Sequence, residues 1–480
     1  MSKQLITFMF FMIFFITATS YYYYWTVPAN SIWYDQRAAI EVFQKIIDGK
    51  FPLVGYNHSN GIPSFAAFYY IISPVYYFLN DPIELYYFIA FINVLSISIF
   101  STFLYLKLNL SSAILFGVYS ITNVWGLYYG SFLWNPNLIP FFMALLFIFT
   151  FKFFDTKKTI FFHISGLIIN LIVQMSPQAI LLVFSFGITI IILNKLPRLI
   201  HLFNHAIFHF ILISPWLIHT RILNPSSKAP THSTIFKDFT APLIEYTSYV
   251  GGWGLTQETG KFLDYGTIIS PENQFLLPLL KISTIICILL VVSFSFQFLT
   301  NRFDQRINIS WRNLAYFIGL INLFSLFFFF LGLRVNTHHF QFLTPTIALI
   351  LVLGINFQVH KKKLSMGLLS FVILTQGTYS YWRAHSESIR PYITDIGYQQ
   401  IFSEYLKDQC PNSARVRYVT PNGIHTYMQH GELKGIVSSC NWMLVQENHY
   451  DLSIIIHDFL NEKFQLSQNK FKNYLIWFTK

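Results

Sequence analysis

The sequence predicts a polytopic α-helical membrane protein of about eleven transmembrane helices, with outer-face loop helices and a small C-terminal α/β domain. Three observations predict it. Hydrophobic residues make up 54% of the 480 and charged residues only 11%, where a soluble domain carries about 25% charged residues. Apolar runs of about 20 residues, the length that crosses a bilayer, recur along the chain. The basic residues collect in alternate connections between those runs, as they do when one side of a membrane holds them.

Taken in order, the runs fall near residues 4–24, 83–106, 111–129, 137–154, 159–176, 178–194, 199–219, 275–299, 314–333, 341–359 and 364–382. The first, Leu5 to Thr19, has the length of a signal peptide. It leaves through the aromatic stretch Tyr21 to Trp25 with no small-residue cleavage site, so a retained helix is expected. With the N-terminus cytoplasmic, the cytoplasmic connections contain Lys3, Lys107, Lys152, Lys157, Lys158, Lys195, Arg198, Arg302, Arg306, Arg312 and Lys361 to Lys363. The short connections on the other side, near 130–136, 176–178 and 334–340, contain only Arg334. This asymmetry predicts that the long segments 25–82, 220–274 and 383–480 lie outside.

The net charge of +11 therefore reads as topology. No soluble segment interleaves basic with aromatic residues as a nucleic-acid surface does, so no nucleic-acid partner is expected. A phosphate loop, a dinucleotide fingerprint and repeats of 20–50 residues are all missing from the sequence. The chain divides into a membrane domain, 1–382, and an outer α/β domain, 383–480. In the latter, 392–407 has helical spacing, and Arg415–Thr420, Leu452–His457 and Tyr474–Phe478 read as short strands. Cys287 lies within a span. Cys410 and Cys440 both fall outside, where a disulfide between them is allowed and contributes about 3 kcal/mol; two free thiols are the competing reading.

The segment after the first helix, WYDQRAAIEVFQKIIDGKFPLVG, carries the most chemistry. Ala39, Ile40, Phe43, Ile46 and Ile47 recur with helical spacing and predict an amphipathic helix along the membrane surface. Gly49 stops it and Pro52 prevents its resumption. Asp35 stands where the N-cap is expected, with its carboxylate available to the first free amides. Capping alone accounts for an Asp there, and a capped carboxylate is also held rigidly at the mouth of a membrane cavity.

This first loop resembles that of the polyprenyl-phosphate-sugar-dependent glycosyltransferases of the GT-C superfamily, nearest the lipid A aminoarabinose transferase and protein O-mannosyltransferase group. Supporting stretches follow in the family's order: NGIPSFAAFYYIISPVYYFLNDPIEL (60–85), LWNPNLIPF (133–141), SPWLIHTRILNP (214–225) and THHFQFLTPTIALI (337–350). The resemblance implies a GT-C-like fold. It also implies transfer of a sugar from a polyprenyl-phosphate donor to a lipid, glycan or protein acceptor at the outer face of a bacterial inner membrane, as in lipopolysaccharide or surface-glycan modification. Asp35 matches the family's first-loop acid, which deprotonates the acceptor hydroxyl. Many relatives carry Asp-Glu here, where this chain has Asp35-Gln36. Some carry Lys-Pro-Pro where this chain has Asn60-Gly61-Ile62-Pro63.

A departing phosphate needs cations or amides. Arg334, His338, His339, Arg221 and Lys281 lie toward the outer edge as candidates, each with interfacial snorkelling as the alternative reading. Asp81 and Glu84 begin the second helix and read as caps. No cofactor is expected. A divalent metal is disfavoured, since there is no Asp-x-Asp and Glu447, His449 and Asp451 lack ligand spacing. The loop 220–274, with YVGGWG, reads either as a cover for the cavity or as a plain linker. The alternative function is a transporter or flippase of lipid-linked sugars; such proteins show repeated halves and mid-membrane charges, which this sequence does not display.

Overall fold

A computed structural model describes residues 3–21, 27, 34–57, 63–123, 130, 133–223, 246, 275–300, 307–330, 340–358 and 362–385, and five strands between 414 and 478. Helices fall on all eleven expected runs. They are α1 (Lys3–Tyr21), α4 (Pro82–Lys107), α5 (Leu110–Thr122), α6 (Ile139–Thr156), α7 (Thr159–Met175), α8 (Ile180–Ile192) and α9 (Leu199–Leu217). After these come α10 (Leu276–Leu299), α11 (Ile309–Phe330), α12 (Leu343–Phe357) and α13 (Lys362–His385). Among the described residues, 84–107, 135–156, 199–222, 276–299 and 309–328 are each long and apolar enough to cross a membrane unaided. The protein is an integral membrane protein of helical, polytopic design.

Two helices precede α4 without crossing. α2 (Tyr34–Ile47) is the expected amphipathic helix, and it begins two residues earlier than predicted. Asp35 is therefore the second residue inside its first turn, not its cap. α3 (Ala67–Leu79) is an addition to the sequence reading: 13 apolar residues, about 20 Å of helix and too short to span. It ends at Asn80, whose left-handed φ of 51° lets its N–H reach the Tyr76 carbonyl at 2.7 Å. Between α2 and α3, β1 (Val54–Asn57) and β2 (Pro63–Phe65) form an antiparallel hairpin. Asp81 stands immediately before Pro82, the first residue of α4, and its carbonyl accepts from Leu85 at 3.3 Å. That is the cap position expected of it, with Pro at the start of the helix.

The helices enclose α12. From Phe340 to Ile355 every residue is buried, as an all-round apolar helix must be. It packs against α5, α6, α10, α11 and α13. Gly354 lies flat against the Phe294 ring of α10, where a Cβ would strike the ring itself. Small polar residues enter this apolar core by donating back to their own helix. Thr346 reaches the Phe342 carbonyl at 2.6 Å, Thr189 that of Ser185 at 2.7 Å, and Ser325 that of Ile321 at 2.7 Å. No hydroxyl in such a bond is left bare in a waterless interior.

Two faces of the bundle are distinct. On one, Lys107, Lys152, Lys157, Lys158, Lys195, Lys362 and Lys363 gather; we call it the lysine face. There Trp311 of α11 sits between Phe103 and Phe151, with centroids at 5.8 and 4.5 Å. Its Nε1 donates to the Lys107 carbonyl at 3.3 Å. Asn109 donates to Asn356 at 3.0 Å, fixing the end of α12 to the start of α5. The opposite face bears α2, the hairpin and α3, and is called the hairpin face.

The C-terminal strands form a five-stranded mixed sheet of order β4-β3-β5-β7-β6, with β3 (Ala414–Thr420), β4 (Gly423–Tyr427), β5 (Cys440–Gln446), β6 (Asn469–Phe471) and β7 (Tyr474–Phe478). β3 and β5 are parallel and the other pairs antiparallel. β3 and β7 match strands read from the sequence. β4, β5 and β6 add to them, while the expected helix 392–407 and strand 452–457 lie outside the described residues. So does Cys410, and with it the Cys410–Cys440 pairing.

The packing at Gly354 gives a stability prediction. Gly354→Ala should destabilise the detergent-solubilised protein by about 1–3 kcal/mol through overpacking. Gly367→Ala, at a position with nothing within 4 Å of an added Cβ, should leave it unchanged. Thermal unfolding followed by tryptophan fluorescence distinguishes the two.

A candidate active site on the hairpin face

The face of α2 that packs inward consists of Gln36, Ala39, Ile40, Val42 and Phe43. Phe43 is the anchor: fully buried, it touches the rings of Phe68, Tyr69 and Tyr76 of α3 with centroids 5.7–5.9 Å away. Burying such a ring contributes about 1.5–3 kcal/mol. Position 35 lies in line with Ala39 and Val42, four and seven residues on.

Polar bonds tie this layer to the membrane helices. Tyr69 donates to Asn135 Oδ1 at 3.1 Å and shares a 2.9 Å bond with Ser64, whose Oγ also lies 3.1 Å from the Tyr56 carbonyl. Trp134 donates through Nε1 to the Tyr56 hydroxyl at 3.1 Å. Trp216, near the end of α9, stacks on Phe65 at 4.8 Å and donates to the Pro63 carbonyl at 2.9 Å. Gly55, the last residue of the PLVG stretch, is required here, because a Cβ would occupy the space of the Tyr69 ring and Ser64 Oγ. Asn93 of α4 adds the lower tie: its amide lies 2.8 Å from the Gly130 carbonyl and 2.9 Å from that of Asn137. The turn LWNPN is thus bound to the hairpin above it and to α4 beside it.

Gln36 is buried to 2% exposure and engaged with its surroundings. A neutral amide tolerates burial better than a carboxylate, which forfeits its hydration there. The departure from the Asp-Glu pattern thus has a packing reason. In α3, Tyr76 is held above its ordinary phenol pKa, first by burial and then by the Asp81 carboxylate.

The donor-phosphate candidates are only partly placed. Arg221 is exposed in a wide π turn, Ile218–Leu223, that follows Pro215; proline cannot donate to the ladder and opens the helix end. Lys281 is half-buried in the second turn of α10, toward the same face. Arg334, His338 and His339 lie outside the described residues, as does most of the loop 220–274. Further along this loop, Tyr246 is fully buried. It donates to Asn322 of α11 at 3.0 Å, and Asn322 donates in turn to Ser295 of α10 at 3.0 Å. At this point the loop is anchored inside the bundle. Among the described residues no three His, Cys, Asp or Glu side chains surround one point.

Sequence reading passed over the roles of Trp134, Asn135, Tyr69 and Trp216. The signal was present: an indole or phenol in an apolar run needs a partner for its polar atom, and LWNPN and SPW supply such atoms beside conformation-fixing prolines.

No protein-family model and no curated protein sequence matches the chain. In three dimensions it is similar to the crystal structure of ArnT from Cupriavidus metallidurans bound to undecaprenyl phosphate. The TM-score is 0.55, and 97% of each chain is covered at 9% identity. The apo structure of the same protein gives 0.51 with the same coverage and 10% identity. The chain therefore shares the fold of ArnT.

Two substitutions test the platform. Tyr69→Phe, which leaves Asn135 and Ser64 without their shared hydroxyl, should lower stability by about 1–2 kcal/mol, read from denaturation in detergent. Gln36→Glu should be as damaging or worse at neutral pH and should recover as pH falls, because protonation removes the buried charge. A pH series of melting temperatures against wild type checks the direction.

Proposed function

We propose that this chain is an integral membrane glycosyltransferase that takes a sugar from a polyprenyl-phosphate donor. The observation that carries the reading is the end-to-end likeness to the fold of ArnT solved with undecaprenyl phosphate, combined with the position of Asp35 in the first turn of α2. In this reading Asp35 accepts the proton of the acceptor hydroxyl. The acceptor oxygen bonds to the anomeric carbon, and the bond from that carbon to the phosphate oxygen breaks. The lipid phosphate leaves with its negative charge met by basic groups on this face, for which Arg221, Lys281, Arg334, His338 and His339 are the candidates.

The distribution of lysine and arginine supports an orientation with the hairpin face outward, periplasmic in a bacterial inner membrane. Residues 383–480 are then an outer-face domain, suited by position to meet a lipid, glycan or protein acceptor. The metal-free character of the transfer is part of this proposal.

Purified protein in detergent micelles, given a polyprenyl-phosphate sugar and a candidate acceptor, should release polyprenyl phosphate. Transfer without a sealed bilayer is incompatible with a pure flippase. Asp35→Asn should fold, bind donor and lose about 10²–10⁴-fold in turnover. A folded Asp35→Asn protein with full turnover overturns the assignment.

A further inference from the structure

The segment that carries the hairpin and α3 contains an exposed apolar surface outside the spans. From Phe51 to Asn80 there is no Asp, Glu, Lys or Arg, although Lys50 and Asp81 bound the stretch. Within it, α3 is two-sided. Phe68, Tyr69, Ile72 and Tyr76 are buried, and the helix packs on α2, α4 and α7. Tyr70, Ile71, Pro74, Tyr77 and Phe78 recur at helical spacing on the other side and are exposed, Phe78 to 82%. The Tyr70 hydroxyl donates to the Pro52 carbonyl at 2.9 Å. That bond brings Phe51, which is 74% exposed, and Leu53 beside the stripe.

A contiguous apolar patch of this kind marks a surface that meets a membrane or another partner. α2 supplies the contrast. Its outward residues are Glu41, Gln44, Lys45 and Asp48, a side made for water, where Gln44 donates to Asp48 at 2.8 Å. Locked together by Phe43, the two helices expose opposite chemistries: charge on α2 and aromatic carbon on α3. The apolar side also adjoins the surface that the spans turn toward lipid. Phe65, two residues before α3, stacks on Trp216 at 4.8 Å. Around that point α9 and the turn after it expose Phe210, Ile211, Ile218 and Ile222.

We propose that α3 and the adjoining corner Phe51–Leu53 are a lipid-binding surface, seated in the leaflet on the hairpin side with the exposed stripe among the acyl chains just below the headgroups. The occupant is lipid because the patch continues the lipid-facing side of α9 and offers a protein partner no charge to pair. Its chemistry sets the depth. Tyr70 and Tyr77 combine an apolar ring with a hydroxyl, the pairing that concentrates at membrane–water boundaries. Pro74 cannot donate to the Tyr70 carbonyl, a gap that headgroups and water can fill and hydrocarbon cannot. An in-plane helix of this type buries its apolar side about 5–10 Å into the boundary. Through Phe43, α3 then fixes the height of α2, whose charged side stays in water. The surface needs only the membrane and is independent of glycosyl transfer.

The test places the photoreactive residue p-benzoyl-phenylalanine at position 51, 78, 210 or 45 of the full-length protein in phosphatidylcholine nanodiscs. All four native side chains are exposed, so the replacements leave the core packing as it is. After irradiation, mass spectrometry of the digested protein distinguishes phospholipid adducts from protein crosslinks. Position 210, on the outward side of α9, is the lipid reference, and position 45, on the charged side of α2, is the aqueous one. Positions 51 and 78 should give phospholipid adducts at about the yield of position 210 and about tenfold above position 45. A crosslink from position 78 to a second copy of the chain or to residues 383–480 overturns the proposal. An adduct yield at position 78 no higher than at position 45 overturns it as well.

Discussion

The hairpin face depends on one requirement: polar atoms on large aromatic side chains must find partners in surroundings that offer no water. Trp134, Trp216 and Tyr69 each put a ring into apolar packing and a single N–H or O–H into a bond with a different element. Because the partners are the hairpin's Tyr56 and Pro63 and the turn's Asn135, meeting the requirement also sets where the loop sits on the bundle. An apolar contact alone permits sliding; a bond of about 3 Å to a carbonyl or hydroxyl does not. The rigidity of α2 then follows from Phe43, which locks it to α3.

The rest of the bundle meets the same requirement differently. In α12 Thr346 satisfies itself on its own helix, so its surface presents little but shape to its neighbours. Asn93 does more: besides the Ile89 carbonyl of its own helix, its amide reaches carbonyls of another segment. Self-satisfied helices pack by fit, and outward-bonding ones pack by address. The fold uses the second mode where an irregular segment must be positioned.

Much of this was legible in the sequence. The spans follow from apolar length, the lysine face from charge, and α2 from spacing, and the motif order pointed to the fold shared with ArnT. The start of α2 lies two residues before the one expected, because a cap and a first-turn acid look alike when the preceding residues, Ser31 to Trp33, offer a competing start. α3 was missed since YYIISPVYYFL is apolar on every side and contains Pro74, which reads as a breaker. The network around Tyr69 joins residues 66 positions apart, and no local pattern announces such a pairing. Gln36, marked in sequence as a departure, turns out to be a buried residue for which neutrality is the packing condition.

The shortness of α12 has a geometric consequence. Its 15 residues measure about 22 Å, against a hydrocarbon layer of roughly 30 Å. A helix sheathed by protein on all sides is excused from matching the lipid, so its length sets no strain on the bilayer. The Asn109–Asn356 bond pins its far end at the lysine face, and the missing length therefore falls at the other.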